Sequence, residues 1–233
     1  MRKGILFLLL AIAGFAVTAH ADELLVNGGF EDGLNGWTVT NQFLSLGSFV
    51  AASGPSALTP GPSQGNGYAV GVDAVYGTNA LTQDFTVPLG ADGVTLSFDL
   101  FVDIAGKVHR NGHGLNFNPL LGRNDFATVD LLADGANPLG GGKEVLANYY
   151  QGADTPFTSN GYTHYSFDIS QHIQPGGTYE LRFGQVENGE LLYAGVDNVS
   201  ITAVGATPEP ASLLLTIPAL AGGLFLRRRR VMQ

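Results

Sequence analysis

The sequence predicts an all-β domain, an antiparallel two-sheet sandwich of jelly-roll type, and three observations lead to this class. Glycine accounts for 33 of the 233 residues and charged residues for 13%, about twice and half of their usual shares. Several segments alternate apolar and polar residues with the period of a strand. Between residues 22 and 207, no segment sustains a helical period with caps. Turns rich in Gly, Pro and Asn separate these strands, which is typical of a sandwich.

The longest candidate strand covers residues 94–104. Every second residue from Val94 to Ile104 is apolar, and Phe101 is the one apolar residue on the polar side. The other candidate strands cover residues 163–169, 179–183, 193–202, 68–72, 80–87 and 126–132. Two long connections, residues 46–66 and 105–125, lie between them. Long loops in compact domains are commonly functional.

The N-terminus has the features of a secretory signal peptide. A basic pair precedes a short apolar run at residues 5–17, and the small residues Ala19 and Ala21 follow at the positions that a cleavage site requires. The alternative is an N-terminal membrane anchor, but the run is short for a membrane span. We therefore expect a signal helix at residues 1–21, cleaved by signal peptidase, and a mature chain that begins at Asp22.

The C-terminus combines three features in a fixed order: a proline-flanked glutamate (Pro208, Glu209 and Pro210), sixteen mostly apolar residues (211–226) and an arginine cluster (Arg227, Arg228, Arg229 and Arg230). At about 1.5 Å per residue, the apolar run makes a short transmembrane helix of roughly 24 Å. The arginines are expected to remain on the cytoplasmic side. The prolines hold the tripeptide extended and unpaired, which suits recognition by a processing enzyme. The alternative is a plain tail anchor behind a proline linker.

This C-terminal segment resembles the PEP-CTERM sorting signal of Gram-negative bacteria over residues 207–233. The resemblance implies recognition by an exosortase, a membrane-embedded cysteine transpeptidase, and cleavage near the motif. It also implies an inner-membrane intermediate and delivery to the cell surface or extracellular matrix, where such proteins are associated with exopolysaccharide and biofilm. The expected organisation is a signal peptide at 1–21, a jelly-roll domain at 22–204 and a sorting signal at 205–233.

Without its two ends the chain is strongly acidic. Residues 22–207 hold five Lys and Arg against nineteen Asp and Glu, a formal charge of −14. Such a surface repels nucleic acid and attracts cations, and no basic stripe accompanies the aromatic residues. We therefore expect no nucleic-acid partner. Cysteine is absent, which excludes disulfides, thiolate nucleophiles and cysteine-ligated metals.

Two short motifs lie at opposite ends of the predicted domain: LLVNGGFEDGLNGW at residues 24–37 and AGVDNVSIT at residues 194–202. Together they resemble galactose-binding-like jelly rolls, including many carbohydrate-binding modules. The resemblance implies that the first and last strands are adjacent and that a structural calcium ion lies there, bound by Glu31, Asp197 and carbonyl groups near Asn27. Oxygen ligands suit calcium, and the ion would clip together the ends of a domain without disulfides. The alternative is that both carboxylates cap turns or accept backbone hydrogen bonds.

Trp37, the only tryptophan, is the last residue of the first motif. Its ring could stack on a pyranose as a sugar-binding platform, or it could pack in the core. Tyr149, Tyr150 and Tyr162 are equally able to supply such a platform. The sequence does not choose among these aromatic residues.

The candidates for catalysis or metal binding are weaker. His109 and His113 have a spacing that would suit zinc on a helix, but their Gly- and Asn-rich surroundings predict a solvated loop. Asp99 and Asp103 lie on one strand face, as a glycosidase pair would, although acids there are typical of a solvent-facing surface. The sequence contains neither a phosphate-binding glycine loop nor a nucleophile elbow.

These patterns favour a non-enzymatic exported protein, sorted by an exosortase and retained at the surface or in extracellular polysaccharide. The second hypothesis is a carbohydrate-binding module with a defined sugar site. A glycan lyase or hydrolase is the third.

Overall fold

The computed structural model describes residues 21–42, 47–73, 76–116, 118–153 and 161–205. In these residues, eleven strands form two antiparallel sheets, so the predicted fold class is confirmed. Among the described residues, no helix is long and apolar enough to cross a membrane. Ala19, the proline-flanked glutamate, the apolar run and the arginine cluster lie outside the described residues.

Sheet A has the strand order β3-β4-β11-β6-β9, and β1 pairs with β11. Its strands are β1 Ala21–Glu23, β3 Ser48–Ala52, β4 Tyr68–Asp73, β6 Ala91–Ile104, β9 Thr163–Asp168 and β11 Leu192–Gly205. Sheet B has the order β2-β5-β10-β7-β8. Its strands are β2 Thr38–Asn41, β5 Gly77–Thr86, β7 Phe126–Ala133, β8 Val145–Gly152 and β10 Thr178–Glu187.

The core lies between the two sheets, because alternate residues of each long strand point inward. In β6 the six apolar residues from Val94 to Ile104 on the inner side are at most 4% exposed. They meet residues such as Leu81, Phe183 and Leu181 of sheet B in one cluster. Each such side chain contributes roughly 1.5–3 kcal/mol on burial.

Four strands are not recognisable in the sequence. β3 lies inside the predicted connection 46–66, which reduces that loop to residues 53–67. β1 and β2 are only three and four residues long. β8 is an edge strand whose pairing with β7 shifts register twice, and such irregularities blur the alternation of apolar and polar residues.

The two long connections cover the outer faces of the sheets, meaning the faces that point away from the core. Connection 105–125 packs Leu115 on Phe126 and Val186, which project outward from sheet B. Phe101 points outward from sheet A and is nevertheless buried, in a cluster with Tyr68 and Val70. The predicted break in the β6 pattern at Phe101 therefore marks a covered part of the outer face.

Candidate functional site

The two motifs at the ends of the domain meet in the structure, as the resemblance implied. β1 pairs with β11, and beyond it the Val199 N–H donates to the Gly28 carbonyl at 2.9 Å. A Cβ atom on Gly28 would overlap the carbonyl oxygen of Val199. Asn27 and Asn198 both adopt a left-handed backbone conformation, with φ of 51° and 52°. The motif residues thus shape a tight junction between the first and last strands.

Glu31 and Asp197, the predicted calcium ligands, both hold the loop at residues 53–67. Asp197 Oδ2 accepts hydrogen bonds from the Ser63 and Gln64 N–H groups at 2.8 and 2.9 Å. Glu31 Oε1 accepts from the Asn66 and Gly67 N–H groups at 2.6 and 3.1 Å. These are the backbone contacts that the alternative interpretation expected.

The remaining oxygens of these two carboxylates decide whether a cation fits. Asp197 Oδ1 accepts one bond, from the Asn198 N–H, and Glu31 Oε2 accepts one long bond of 3.4 Å from the Asn66 side chain. A carboxylate oxygen has two acceptor positions, so each retains one for a cation. Among the residues that the structure describes, no group of three or more His or acidic side chains is arranged to hold a metal ion. A calcium ion here stays a prediction.

The pKa values of the two carboxyl groups shift in opposite directions. Hydrogen bonds from the Asn66 and Gly67 N–H groups lower the pKa of Glu31. Burial raises the pKa of Asp197 against the lowering effect of its hydrogen bonds to backbone N–H groups. The two groups therefore respond differently to acid, although both hold the same loop.

Asp99 also contacts this loop. Its Oδ2 accepts from the Ser63 hydroxyl at 2.5 Å, and its Oδ1 lies 2.6 Å from Nδ1 of His164. The carboxylate thus separates the hydroxyl from the imidazole, whereas an activated nucleophile needs its base in direct contact. Asp103, which the sequence grouped with Asp99 as solvent-facing, is fully buried. The prediction of an exposed acidic pair is therefore corrected.

Trp37 lies in the core, which corrects the prediction of a sugar platform at this position. Its side chain is 8% exposed, its ring lies 5.3 and 6.0 Å from those of Phe30 and Phe183, and its indole N–H donates to the Asn27 carbonyl at 3.2 Å. The N–H donor is satisfied and the ring faces are covered, so a pyranose cannot stack there.

The three candidate tyrosines are half-buried and pack against other rings. Tyr149 and Tyr150 lie 5.0 and 5.7 Å from the rings of Phe167 and Tyr165, and together they close the sandwich between the edge strands β8 and β9. Tyr162 packs edge-on against Phe101 at 5.1 Å. Burial, and secondarily the charge of Asp168, raises the pKa of Tyr149 to about 12.

The histidines of connection 105–125 differ from each other. His113 is exposed, as predicted, whereas Nδ1 of His109 lies 3.2 Å from the fully buried Asp125 carboxylate. Asp125 also accepts from the N–H groups of Asn188 and Glu190 at 2.9 and 3.0 Å. Asp125 thus ties the connection to the turn between β10 and β11.

A cleft of about 280 Å³ lies on the outer face of sheet B, between connection 105–125 and the glycine-rich turn before β8. We call it the sheet B cleft. Polar side chains line it from three neighbouring strands, namely Thr128 and Asp130 of β7, Asn148 and Gln151 of β8, and Arg182 of β10. Gly114 and Leu115 line it on one side, and Gly140, Gly141 and Gly142 on the other.

A buried ion pair organises the cleft. Nε and Nη2 of Arg182 donate to Asp130 Oδ2 at 3.0 and 2.6 Å, and both side chains are 4% exposed. The Arg182 Nη1 group donates to the carbonyls of Pro138 and Gly140 at 3.0 and 2.8 Å, which fixes the glycine-rich turn. Asn148 donates to the other Asp130 oxygen at 2.7 Å. These bonds compensate the cost of burying the two charges.

The same sheet face becomes acidic toward β5. Glu180 lies two residues before Arg182 on β10, and its cross-strand partner in β5 is Asp84. Burial, followed by repulsion from Asp84, raises the pKa of Glu180 to about 6, although Arg182 opposes the shift. The outer face of sheet B therefore has an acidic part at β5 and β10 and a neutral, hydrogen-bonding part at β7 and β8.

The sheet B cleft is not recognisable from the sequence. Arg182, Asp130 and Asn148 are far apart along the chain and become neighbours through the pairing of β10 with β7 and of β7 with β8. The only sequence signal was the alternation in β10 that placed Arg182 on the polar side.

Comparisons with known proteins show the fold. No family model matches the chain, and no curated protein matches it. The Stig cyclase FisC from Fischerella sp. TAU is 18% identical with a TM-score of 0.50, over 80% of this chain and 100% of that one. TmCBM61, solved in complex with β-1,4-galactotriose, is 12% identical with a TM-score of 0.48, over 77% and 97% of the two chains. The K1 cleaved adhesin domain of Lys-gingipain from Porphyromonas gingivalis W83 is 12% identical with a TM-score of 0.47, over 81% and 99%. At these identities, the chain shares a sandwich fold with known structures.

Proposed function

We propose that this protein is an exported, non-enzymatic surface or matrix protein, sorted by an exosortase, whose sandwich binds extracellular polysaccharide. The observation that supports binding is the sheet B cleft. Sugar hydroxyls both donate and accept hydrogen bonds, and the cleft offers the exposed side-chain amides of Asn148 and Gln151 beside a buried ion pair that fixes its geometry. Its volume of about 280 Å³ is near the lower end of the roughly 300–1,000 Å³ typical of small-molecule sites.

The arrangement of the ionisable groups favours binding over catalysis. The cleft carboxylate Asp130 is engaged by Arg182 and Asn148 at once, so it serves as a fixed hydrogen-bond acceptor. Ser63 and His164 are held apart by Asp99. Both arrangements stabilise one geometry, which suits recognition.

Affinity electrophoresis tests binding with the sandwich, residues 22–205, in gels that contain bacterial exopolysaccharide. These residues correspond to one compact unit, Ala21–Gly205. We expect Asn148→Ala with Gln151→Ala to weaken retardation about tenfold, because two hydrogen bonds of about 0.5–1.5 kcal/mol each are lost. The control is Thr95→Ala with Ser166→Ala, which changes two outward polar residues of sheet A. Equal weakening in both variants, at unchanged melting temperatures, would contradict binding in the cleft.

A further inference from the structure

Three of the five lysines and arginines of residues 22–205 lie in or beside the sheet B cleft. Arg182 lines it, Arg110 contacts the lining residue Gln151, and Lys143 directly follows the lining residue Gly142. The other two, Lys107 and Arg123, belong to connection 105–125. Resting on the proposed function, we propose that the sheet B cleft binds a carboxylated polysaccharide, with the acidic group of the sugar between Arg110 and Lys143.

Of the three cations in or beside the cleft, two are available to an anionic ligand. Arg182 is neutralised by Asp130, and Arg123 contacts Glu190 and Asp125. Arg110 instead donates to Gln151, a residue that lines the cleft, at 2.9 Å. Within the part of the chain that the structure describes, neither Arg110 nor Lys143 forms an ion pair.

Arg110 and Lys143 approach the cleft from opposite sides. Arg110 reaches Gln151 of β8 from connection 105–125, and Lys143 directly follows the lining residue Gly142. Both are exposed. A cation therefore stands at each end of β8, and the cleft-lining amides of Asn148 and Gln151 lie on that strand.

The nearby acidic groups define how the ligand is oriented. Asp84 lies on β5, and Glu180 lies on β10 two residues before Arg182, so neither is on a strand next to β8, whereas Arg110 contacts β8 itself. Glu144 follows Lys143 at the rim. A sugar that directs its carboxylate toward β8 and its hydroxyls toward Asp130 avoids the acidic pair and meets both cations.

The charge of the whole domain selects the class of polyanion. Nucleic acids require many cations along a stripe, and here four exposed cations, one of them paired with Glu190, stand against an acidic surface. A polysaccharide combines one carboxylate with several hydroxyls in each acidic unit, which matches two cations above a floor of hydrogen-bonding groups. This combination favours a glycan over a nucleic acid.

The test compares matched polymers. Alginate, polygalacturonate and hyaluronan are each offered to the sandwich alongside the carboxyl-reduced form of the same polymer. We expect at least one acidic polymer to bind about tenfold more tightly than its reduced form in 0.1 M salt. The preference should weaken in 1 M salt, because the screening length falls from about 10 Å to about 3 Å.

The variants distinguish the effect of the two cations beside the cleft from the effect of the net charge of the domain. Arg110→Gln with Lys143→Gln should remove the preference, whereas Thr95→Glu with Ser166→Glu, which lowers the net charge by the same two units on sheet A, should keep it. Equal binding of acidic and reduced polymers, with sensitivity to Asn148→Ala and Gln151→Ala, overturns this inference and leaves the proposed function intact. Absence of binding to all six polymers overturns both.

Discussion

Gly28 shows how closely the two ends of the sandwich approach each other. A Cβ atom at this position would overlap the backbone carbonyl of Val199, whereas a Cβ atom on the next residue, Gly29, would meet nothing within 4 Å. We expect Gly28→Ala to lower the free energy of unfolding by about 1–3 kcal/mol through overpacking, as measured by urea denaturation. Gly29→Ala is the matched control and should change it by less than about 0.5 kcal/mol. Equal effects of the two substitutions on the free energy of unfolding would show that the backbone at Gly28 can move away from Val199.

The ion pair in the sheet B cleft gives a second prediction for single residues. Asp130→Ala leaves the buried guanidinium of Arg182 without its carboxylate, so we expect a loss of about 3–5 kcal/mol in the free energy of unfolding. Asp130→Leu combined with Arg182→Met removes both charges and should recover most of that loss. The measurement is urea denaturation of both variants. A single variant as stable as wild type would mean that water already solvates Arg182.

At the scale of elements, the strands differ in how far the sequence predicts them. β6 is recognisable because its inner side contacts sheet B and its outer side is mostly polar. β8 is not, because it is an edge strand with register shifts, so no single face of it is uniformly buried. β3 is obscured by a segment rich in Ser, Gly and Ala. Local periodicity predicts the central strands and the edge strand β9, whose alternation is intact, but not the edge strands β2, β3 and β8.

The candidate site was less predictable than the fold for the same reason. Glu31 and Asp197 were identified as functionally paired because they stand in two motifs, and both do hold the loop at residues 53–67. The sheet B cleft depends instead on register between strands that are distant in sequence. A shift of one residue would turn Arg182 inward.

The hydrogen bonds from the loop at residues 53–67 to Glu31 lead us to expect that the stability of the domain depends on pH. The folded state lowers the pKa of Glu31 from its usual 4.5, so the contribution of Glu31 is complete above that value and is lost as the pH falls through the folded pKa. The difference in melting temperature between wild type and Glu31→Gln should therefore be largest at pH 7 and should shrink below pH 4.5. The folded state raises the pKa of Asp197, so the contribution of Asp197 to the free energy of unfolding decreases as the pH rises.

The control for this pH dependence is Asp92→Asn. Asp92 is exposed at the start of β6, away from the loop. The difference in melting temperature between wild type and Asp92→Asn should stay small from pH 7 to pH 3. A Glu31→Gln difference that is the same at pH 7 and pH 3 would mean that Glu31 does not hold the loop through its charge.

At the scale of the whole molecule, the sandwich begins and ends on adjacent strands. Ala21 pairs with Val204, and β11 runs between β4 and β6 through the middle of sheet A. Any ion that joins Glu31 to Asp197 would therefore couple the N-terminal segment to a central strand. Its effect should appear as stability of the entire sandwich.

The resemblance to galactose-binding-like jelly rolls predicts that calcium stabilises the sandwich as a unit. Calcium at one hundred times its dissociation constant should add about 2.7 kcal/mol and raise the melting temperature by several degrees. Asp197→Asn should shrink the difference between calcium and chelator, and the response should persist at physiological salt, which screens exposed charges beyond about 8 Å. A wild-type protein with the same melting temperature in calcium and in chelator would mean that Glu31 and Asp197 bind only the loop at residues 53–67 and no calcium ion.

Export and sorting concern the two ends that lie outside the described residues. If Pro208, Glu209 and Pro210 form the motif that an exosortase recognises, then Glu209→Ala should leave an uncleaved precursor in the membrane, because the tripeptide loses its only charge. Mass spectrometry of membrane and extracellular fractions should then find peptides that contain the arginine cluster in the variant, while wild type ends near residue 210. Thr207→Ala, one residue before the tripeptide, serves as the control and should be processed normally. Identical mature C-termini in wild type and Glu209→Ala would show that the tripeptide is a linker before a plain tail anchor.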